Sequence, residues 1–331
     1  MGWWSSIFRT RVKDWTFSPL EPQQVPGNAS RERVVADTCY LSVFLQSLRV
    51  VDVRRGLTRF YGAVHSHISL PHLSGKAAEF NVLTTPSKLK DVDAKRVDQV
   101  IQIGQRLLGP VPYRGGDLEM EVGLFSIKSA DLAAPFLSVL EKMSSLAGVS
   151  YINAALPFAE PLKEGINLLT GGEDDSVLEI GVAVNNPSPE TGYYLVMRAP
   201  KGTINVNDIR VDGSDYRLVD RNAQPFGDYP YMILQVVASR TRDDWFKIPE
   251  LSKPYQALKD DVRKGDYGAT KESLVAFKRT VLTCDDLLAV DARNLVTKVE
   301  TEVRAVMSIT QTARSRRRSI PDLGRIPLYS K

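Results

Sequence analysis

Cysteine and histidine are both scarce in this chain. Two cysteines, Cys39 and Cys284, and three histidines, His65, His67 and His72, occur in 331 residues. Two cysteines so far apart in sequence form no disulfide framework, and the scarcity fits a reducing compartment. No apolar run reaches the roughly 18 residues a membrane-spanning helix needs. The first apolar stretch is broken by Arg9, Arg11 and Lys13, with no small-residue cleavage site after it, so it does not read as a secretory signal. Also missing are a Gly-x-Ser-x-Gly elbow, a Walker lysine motif, a Gly-x-Gly-x-x-Gly turn and an EF-hand pattern. These absences speak against a disulfide-stapled secreted module, a helical membrane protein and the commonest nucleotide-binding and serine-hydrolase designs. The expectation is a cytoplasmic protein, with association to a membrane surface as the alternative.

What is present is a globular composition, 43% hydrophobic and 25% charged. The net charge of +4 is carried by the two ends. From Ala313 to Lys331 there are six basic residues against Asp322 alone, and residues 1–15 hold Arg9, Arg11 and Lys13 against Asp14. The body between is net negative, which argues against nucleic acid as a partner, since that would call for a basic face on the body.

The order of periodic segments sets the expected fold. Residues 1–30 read as an amphipathic N-terminal segment followed by a proline-bearing linker over 16–30. Strand signals follow in 33–53 (one strand or two), 60–70 and 79–85. Val97, Val100, Ile101, Ile103, Leu107 and Leu108 predict a helix over 91–108, and Leu118, Met120, Val122 and Leu124 alternating with Glu119 and Glu121 predict a strand. A helical pair is expected within about 131–171, begun by Asp131 and stopped at Gly171-Gly172. Strand periods return at 176–184, 192–199, 203–211 and 231–239, with Asp212-Gly213 as a hairpin signal. Helices are expected at 252–264 and 271–282. A longer one, capped by Thr283, carries Leu288, Ala292, Leu295, Val299, Val303 and Val306 on one stripe. Strands and helices are segregated rather than alternating. That points to an α+β protein, mainly antiparallel: a β-sandwich-like body over 31–250 with a helical insertion, a helical region over 251–312 and a basic tail over 313–331. Whether the two strand groups share one sandwich is not decided by periodicity.

Three constellations could carry chemistry. His65 and His67 share one face of a strand, and His72 after Pro71 could fold back towards them, a candidate zinc site for a metal-dependent hydrolase. The competing reading puts Val64, Ile68 and Leu70 in the core and the histidines on a solvated face. Asp208, Asp212 and Asp215 lie in apparent loops, where a sandwich of the C2-like, peripheral membrane-binding kind gathers calcium ligands. Cys284 opens a helix, a setting that lowers a thiol pKa, but Asp285 and Asp286 follow directly and oppose the thiolate. The balance leans away from an enzyme, and no cofactor is expected.

The ends are more unusual. Trp3, Trp4, Ile7, Phe8 and Trp15 crowd into the first fifteen residues beside Arg9, Arg11 and Lys13, an aromatic and basic pattern suited to a partner, a membrane interface or the chain's own body. The far end holds Arg316, Arg317 and Arg318 in succession. The leading expectation is therefore a non-enzymatic adaptor or assembly subunit that contacts a protein partner, or a second copy of itself, through these two ends. An anionic membrane surface is the alternative partner.

Overall fold

The computed structural model describes residues 15–50, 54–55, 58–73, 77–84, 101–128, 176–200, 202–227 and 229–319. The expected helical pair at 131–171, residues 1–14 and residues 320–331 lie outside the described residues. The chain divides into two compact units, Met1–Arg240 and Thr241–Lys331.

The first unit is an antiparallel sandwich, and both strand groups of the sequence build both of its sheets. One sheet has the order β1 (Trp15–Pro19), β9 (Gly192–Arg198), β12 (Tyr231–Ser239), β2 (Tyr40–Arg49), β6 (Ile101–Pro112). The other runs β4 (Thr58–Pro71), β7 (Leu118–Lys128), β8 (Ser176–Asn186), with β3 (Arg54–Arg55) and β5 (Ala77–Thr84) both pairing β4. One apolar core lies between them. Leu41, Val43 and Leu45 of β2 and Leu234 of β12 meet Val64 and Ile68 of β4 and Met120, Val122 and Leu124 of β7 there.

The two sheets differ in what covers their other faces, and the sequence shows it. In β7 the core residues alternate with Glu119, which is exposed, and Glu121, which is half-buried. In β9 the run Gly-Tyr-Tyr-Leu-Val-Met is buried throughout. Tyr194 and Val196 enter the inter-sheet core, while Tyr193, Leu195 and Met197 enter a second core with Leu20, Val25, Ile209, Val211 and Leu218. A sheet buried on both faces reads as a continuous apolar run. The covering segment is pinned by buried polar contacts. Gln24 Nε2 donates to the carbonyls of Val206 (2.7 Å) and Ile209 (2.8 Å), Ser47 Oγ to Tyr216 (2.7 Å) and Arg49 to Gly227 (2.8 Å).

Several expectations are corrected here. Residues 16–19 belong to β1 rather than to a linker, because Phe17 pairs with Val196 and stacks on Tyr194 with ring centroids 5.3 Å apart. The helix expected at 91–108 is a strand from Ile101 onward. β6 carries three bulges against β2, and each extra residue flips the alternation. Apolar side chains consequently fall at 101, 103, 107, 108 and 111, a spacing that imitates a helix. The strand expected at 203–211 forms only at β10 (Arg210–Val211), since Asn205 caps a 3-10 turn over Val206–Asp208 by accepting from the Asn207 amide (3.1 Å). β10 pairs with β11 (Leu218–Val219) around the Asp212 turn, so the hairpin exists but is short.

The second unit consists of α1 (Pro249–Lys264), α2 (Tyr267–Thr283) and α3 (Ala289–Ser319). Asp266 caps α2 by accepting from the Ala269 amide (3.1 Å). Trp245 lies edge-on to Tyr255 (4.8 Å) and tilted against Phe277 (5.9 Å), forming the aromatic centre. Thr283 is the last residue of α2, where its hydroxyl donates back to Arg279, and α3 starts six residues later, at Ala289. On α3 the buried stripe holds Ala292, Leu295, Val296, Val299 and Met307, while Val306, expected among them, is exposed. The basic tail expected from residue 313 is helical as far as Ser319. Among the described residues no helix is long and apolar enough to cross a membrane.

Candidate functional site

The histidine pair sits where β4 is flanked by β5 and β7. His65 lies in register between Leu83 and Gly123, and His67 between Asn81 and Glu121. Val64, Ile68 and Leu70 enter the core as the alternation requires, but the opposite face is not fully solvated: His65 is completely buried and His67 half-buried. His72, just past the end of β4, is also buried. Burial, reinforced by the neighbouring His67, pushes the His65 pKa down to about 3. The ring is therefore neutral at any ordinary pH. Among the described residues no group of three His, Cys, Asp or Glu side chains gathers closely enough to hold a metal ion.

A neutral buried histidine makes stability depend on acid. The unfolded chain binds a proton near pH 6.5, whereas the folded chain resists protonation until about 3. Stability is thus full above 6.5 and falls as pH drops through that window, by about 2 kcal/mol between pH 7 and pH 5 for this one residue. Urea unfolding at the two pH values should show that loss in the wild-type chain and a smaller one in His65→Gln. Equal losses in both would refute the assignment.

Neither cysteine is set up as a nucleophile. Cys284 caps the C-terminal end of α2 instead of opening a helix, and burial pushes its thiol up to about 12, with Asp286 and Glu250 opposing the thiolate. Cys39 precedes β2 and is also raised by burial.

The acidic loop residues are brought near one another in sequence only to be used locally. Asp212 accepts from the Ser214 amide (2.8 Å) and from its hydroxyl, which hold its carboxyl below the usual range. Asp215 is paired with Arg217, and Asp208 with Arg221. These contacts shape the turns around β10 and β11 (Asx-type capping), a sufficient reason for the aspartates to be there. The Tyr113–Gly116 turn is closed by the Tyr113 hydroxyl donating to the Gly116 carbonyl (2.8 Å).

Of the residues singled out at the ends, Trp15 is in β1, paired in register with Arg198, and Trp3, Trp4, Ile7, Phe8, Arg9, Arg11 and Lys13 lie outside the described residues. Arg316, Arg317 and Arg318 belong to α3. That helix has 31 residues against 16 in α1 and 17 in α2. At 1.5 Å per residue it is about 46 Å long, nearly twice the length of its neighbours. Along 301–306 only Val303 is half-buried, and the other five residues are exposed.

Two features carried no sequence signal strong enough to single them out. Arg242 is buried, with its Nε 2.9 Å from Asp244 and its amide donating to Asp291 (3.1 Å) on the first turn of α3. Tyr267, Val275 and Leu282 are exposed on α2. No family model, curated protein or solved structure matches the chain.

Proposed function

We propose that this chain is a non-enzymatic interaction or assembly-subunit protein, which engages its partner through the aromatic-basic N-terminus and the basic end of α3. The observation that carries the reading is the reach of α3. The helix is nearly twice as long as those it packs on, is exposed over 301–306 except at the half-buried Val303, and its backbone continues through the positions of Arg314, Arg316, Arg317 and Arg318. Cations in the last turns of a helix also complement its dipole, so the charge does not undermine the element that carries it. The N-terminal residues enter through β1, an edge strand of its sheet. A zinc-hydrolase reading draws less support, because His65 is closed off from solvent.

The test is sedimentation velocity of the full chain beside a form lacking residues 1–14 and a form carrying Arg316→Ser, Arg317→Ser and Arg318→Ser, each with and without polyglutamate as an acidic partner. Self-association, or a complex with polyglutamate, that is lost in either variant is the expected result. A full chain that sediments as the same monomer as both variants under all conditions would sink the proposal.

A further inference from the structure

Helix α2 is apolar on two sides. One side, with Thr270, Phe277 and Val281, is buried inside the second unit. The other holds Tyr267 (57% exposed), Val275 (51%) and Leu282 (55%). At 3.6 residues per turn these three fall with Lys271 and Arg279 inside an arc of about 120°, along a stripe of about 22 Å. Lys271 and Arg279 are exposed as well. The only carboxylate in the helix, Glu272, lies at the border of that arc.

Three exposed apolar side chains in register on one helix face, with Lys271 set between them and Arg279 on the flank, make a contiguous surface that the unit leaves uncovered. We propose that this face of α2 is a docking site for an acidic amphipathic helix of a partner protein, whose apolar residues cover Tyr267, Val275 and Leu282 while its carboxylates meet Lys271 and Arg279. Charge selects this occupant over a second copy of the chain. A second copy would bring the same face, setting Lys271 and Arg279 against a surface with no carboxylate inside the arc, so it supplies nothing to meet those cations. Charge placement also favours a helix over a lipid surface. An interfacial anchor keeps its cations on the flank of the apolar strip, whereas here Lys271 falls within the strip, between Tyr267 and Val275, with only Arg279 on its flank. A partner helix of this kind is read by apolar anchors at helical spacing. It shares with the preceding reading only the premise that the chain binds partners, and it involves neither end, so either can fail alone.

The probe is a fluorescent helical peptide of about 15 residues, matched to the stripe, with leucines at i, i+4, i+7 and i+11 and glutamates between them. Binding to the full chain is followed by anisotropy at physiological salt. Lys271→Glu with Arg279→Glu should weaken binding about tenfold or more, and a peptide with lysine in place of glutamate should bind that variant and not the wild type. Val275→Ser with Leu282→Ser should weaken the acidic peptide comparably, and these exposed substitutions should leave the melting curve unchanged. Equal affinity of all forms, or a loss with charge reversal but none with the serine variant, would overturn the proposal. So would wild-type binding to phosphatidylserine vesicles that exceeds peptide binding and falls in both variants.

Discussion

Gly109→Ala is expected to cost the first unit about 3–5 kcal/mol, read as a lower urea midpoint with unchanged slope. Gly109 sits in β6 with φ +89, a conformation an L side chain adopts only under strain. It belongs to a bulge in which Gly109 and Pro110 together oppose Ser42 of β2. A Cβ added there would press into the Leu41 carbonyl oxygen and come within 2.8 Å of the Ser42 hydroxyl oxygen. Neither neighbour can retreat, because Leu41 and Val43 on either side are fully buried in the inter-sheet core. The strand has to shift, and β2–β6 pairing is lost around the bulge. Gly104→Ala is the control: its φ is +60 but nothing lies within 4 Å of the added carbon, so only the backbone strain of about 1–3 kcal/mol applies. A Gly109→Ala chain as stable as the Gly104→Ala chain would show that the contact does not matter.

Arg242→Ala should destabilise the second unit by about 3–5 kcal/mol. The guanidinium is fully shielded from solvent and bonds Asp244 (2.9 Å), and its Nη1 reaches the Asp286 carbonyl at 3.4 Å. Asp244 begins the turn that presents Trp245 to Tyr255 and Phe277. Removing the cation leaves a largely buried carboxylate without its charge partner beside that aromatic centre. The double variant Arg242→Met with Asp244→Leu should recover most of the loss, because it removes both charges and keeps the stem packed. The backbone amide of residue 242 still donates to Asp291 in either case. Thermal and urea unfolding followed by near-ultraviolet circular dichroism measure both effects. If the double variant were no better than the single one, packing rather than the ion pair would be the cause.

Much of the architecture was legible before the structure. The alternation Leu118-Glu119-Met120-Glu121-Val122 marked β7 because its outer face at that end carries the exposed Glu119 and the half-buried Glu121, and Tyr231–Ser239 was bounded to the residue because its run is apolar between turn-forming neighbours. The helices at the end were expected from residue 252 onward, and α1 and α2 begin three and four residues earlier than expected. β6 was misread for a local reason. Three bulges broke its period, and a bulge is a property of how two strands meet rather than of either strand alone. The site was less legible. His65 and His67 were correctly placed on one strand face, yet the burial of His65 follows from what lies over that face, which periodicity does not report. Cys284 was set at a helix start because Thr283 resembles a cap. The hydroxyl bonds backward instead, and the chain continues as a buried turn through Leu287 and Leu288 before α3 begins.

By itself, then, the sequence determined an α+β chain with antiparallel strands, segregated helices and basic ends, since composition, alternation and helical period are local properties written residue by residue. Only the tertiary structure decided that the strand groups at 40–128 and 176–239 interleave into a single sandwich, that α3 carries the arginines of the expected tail, and that α2 leaves one apolar face bare. Each of those depends on which surfaces meet, and burial is settled by the partner surface as much as by the residue.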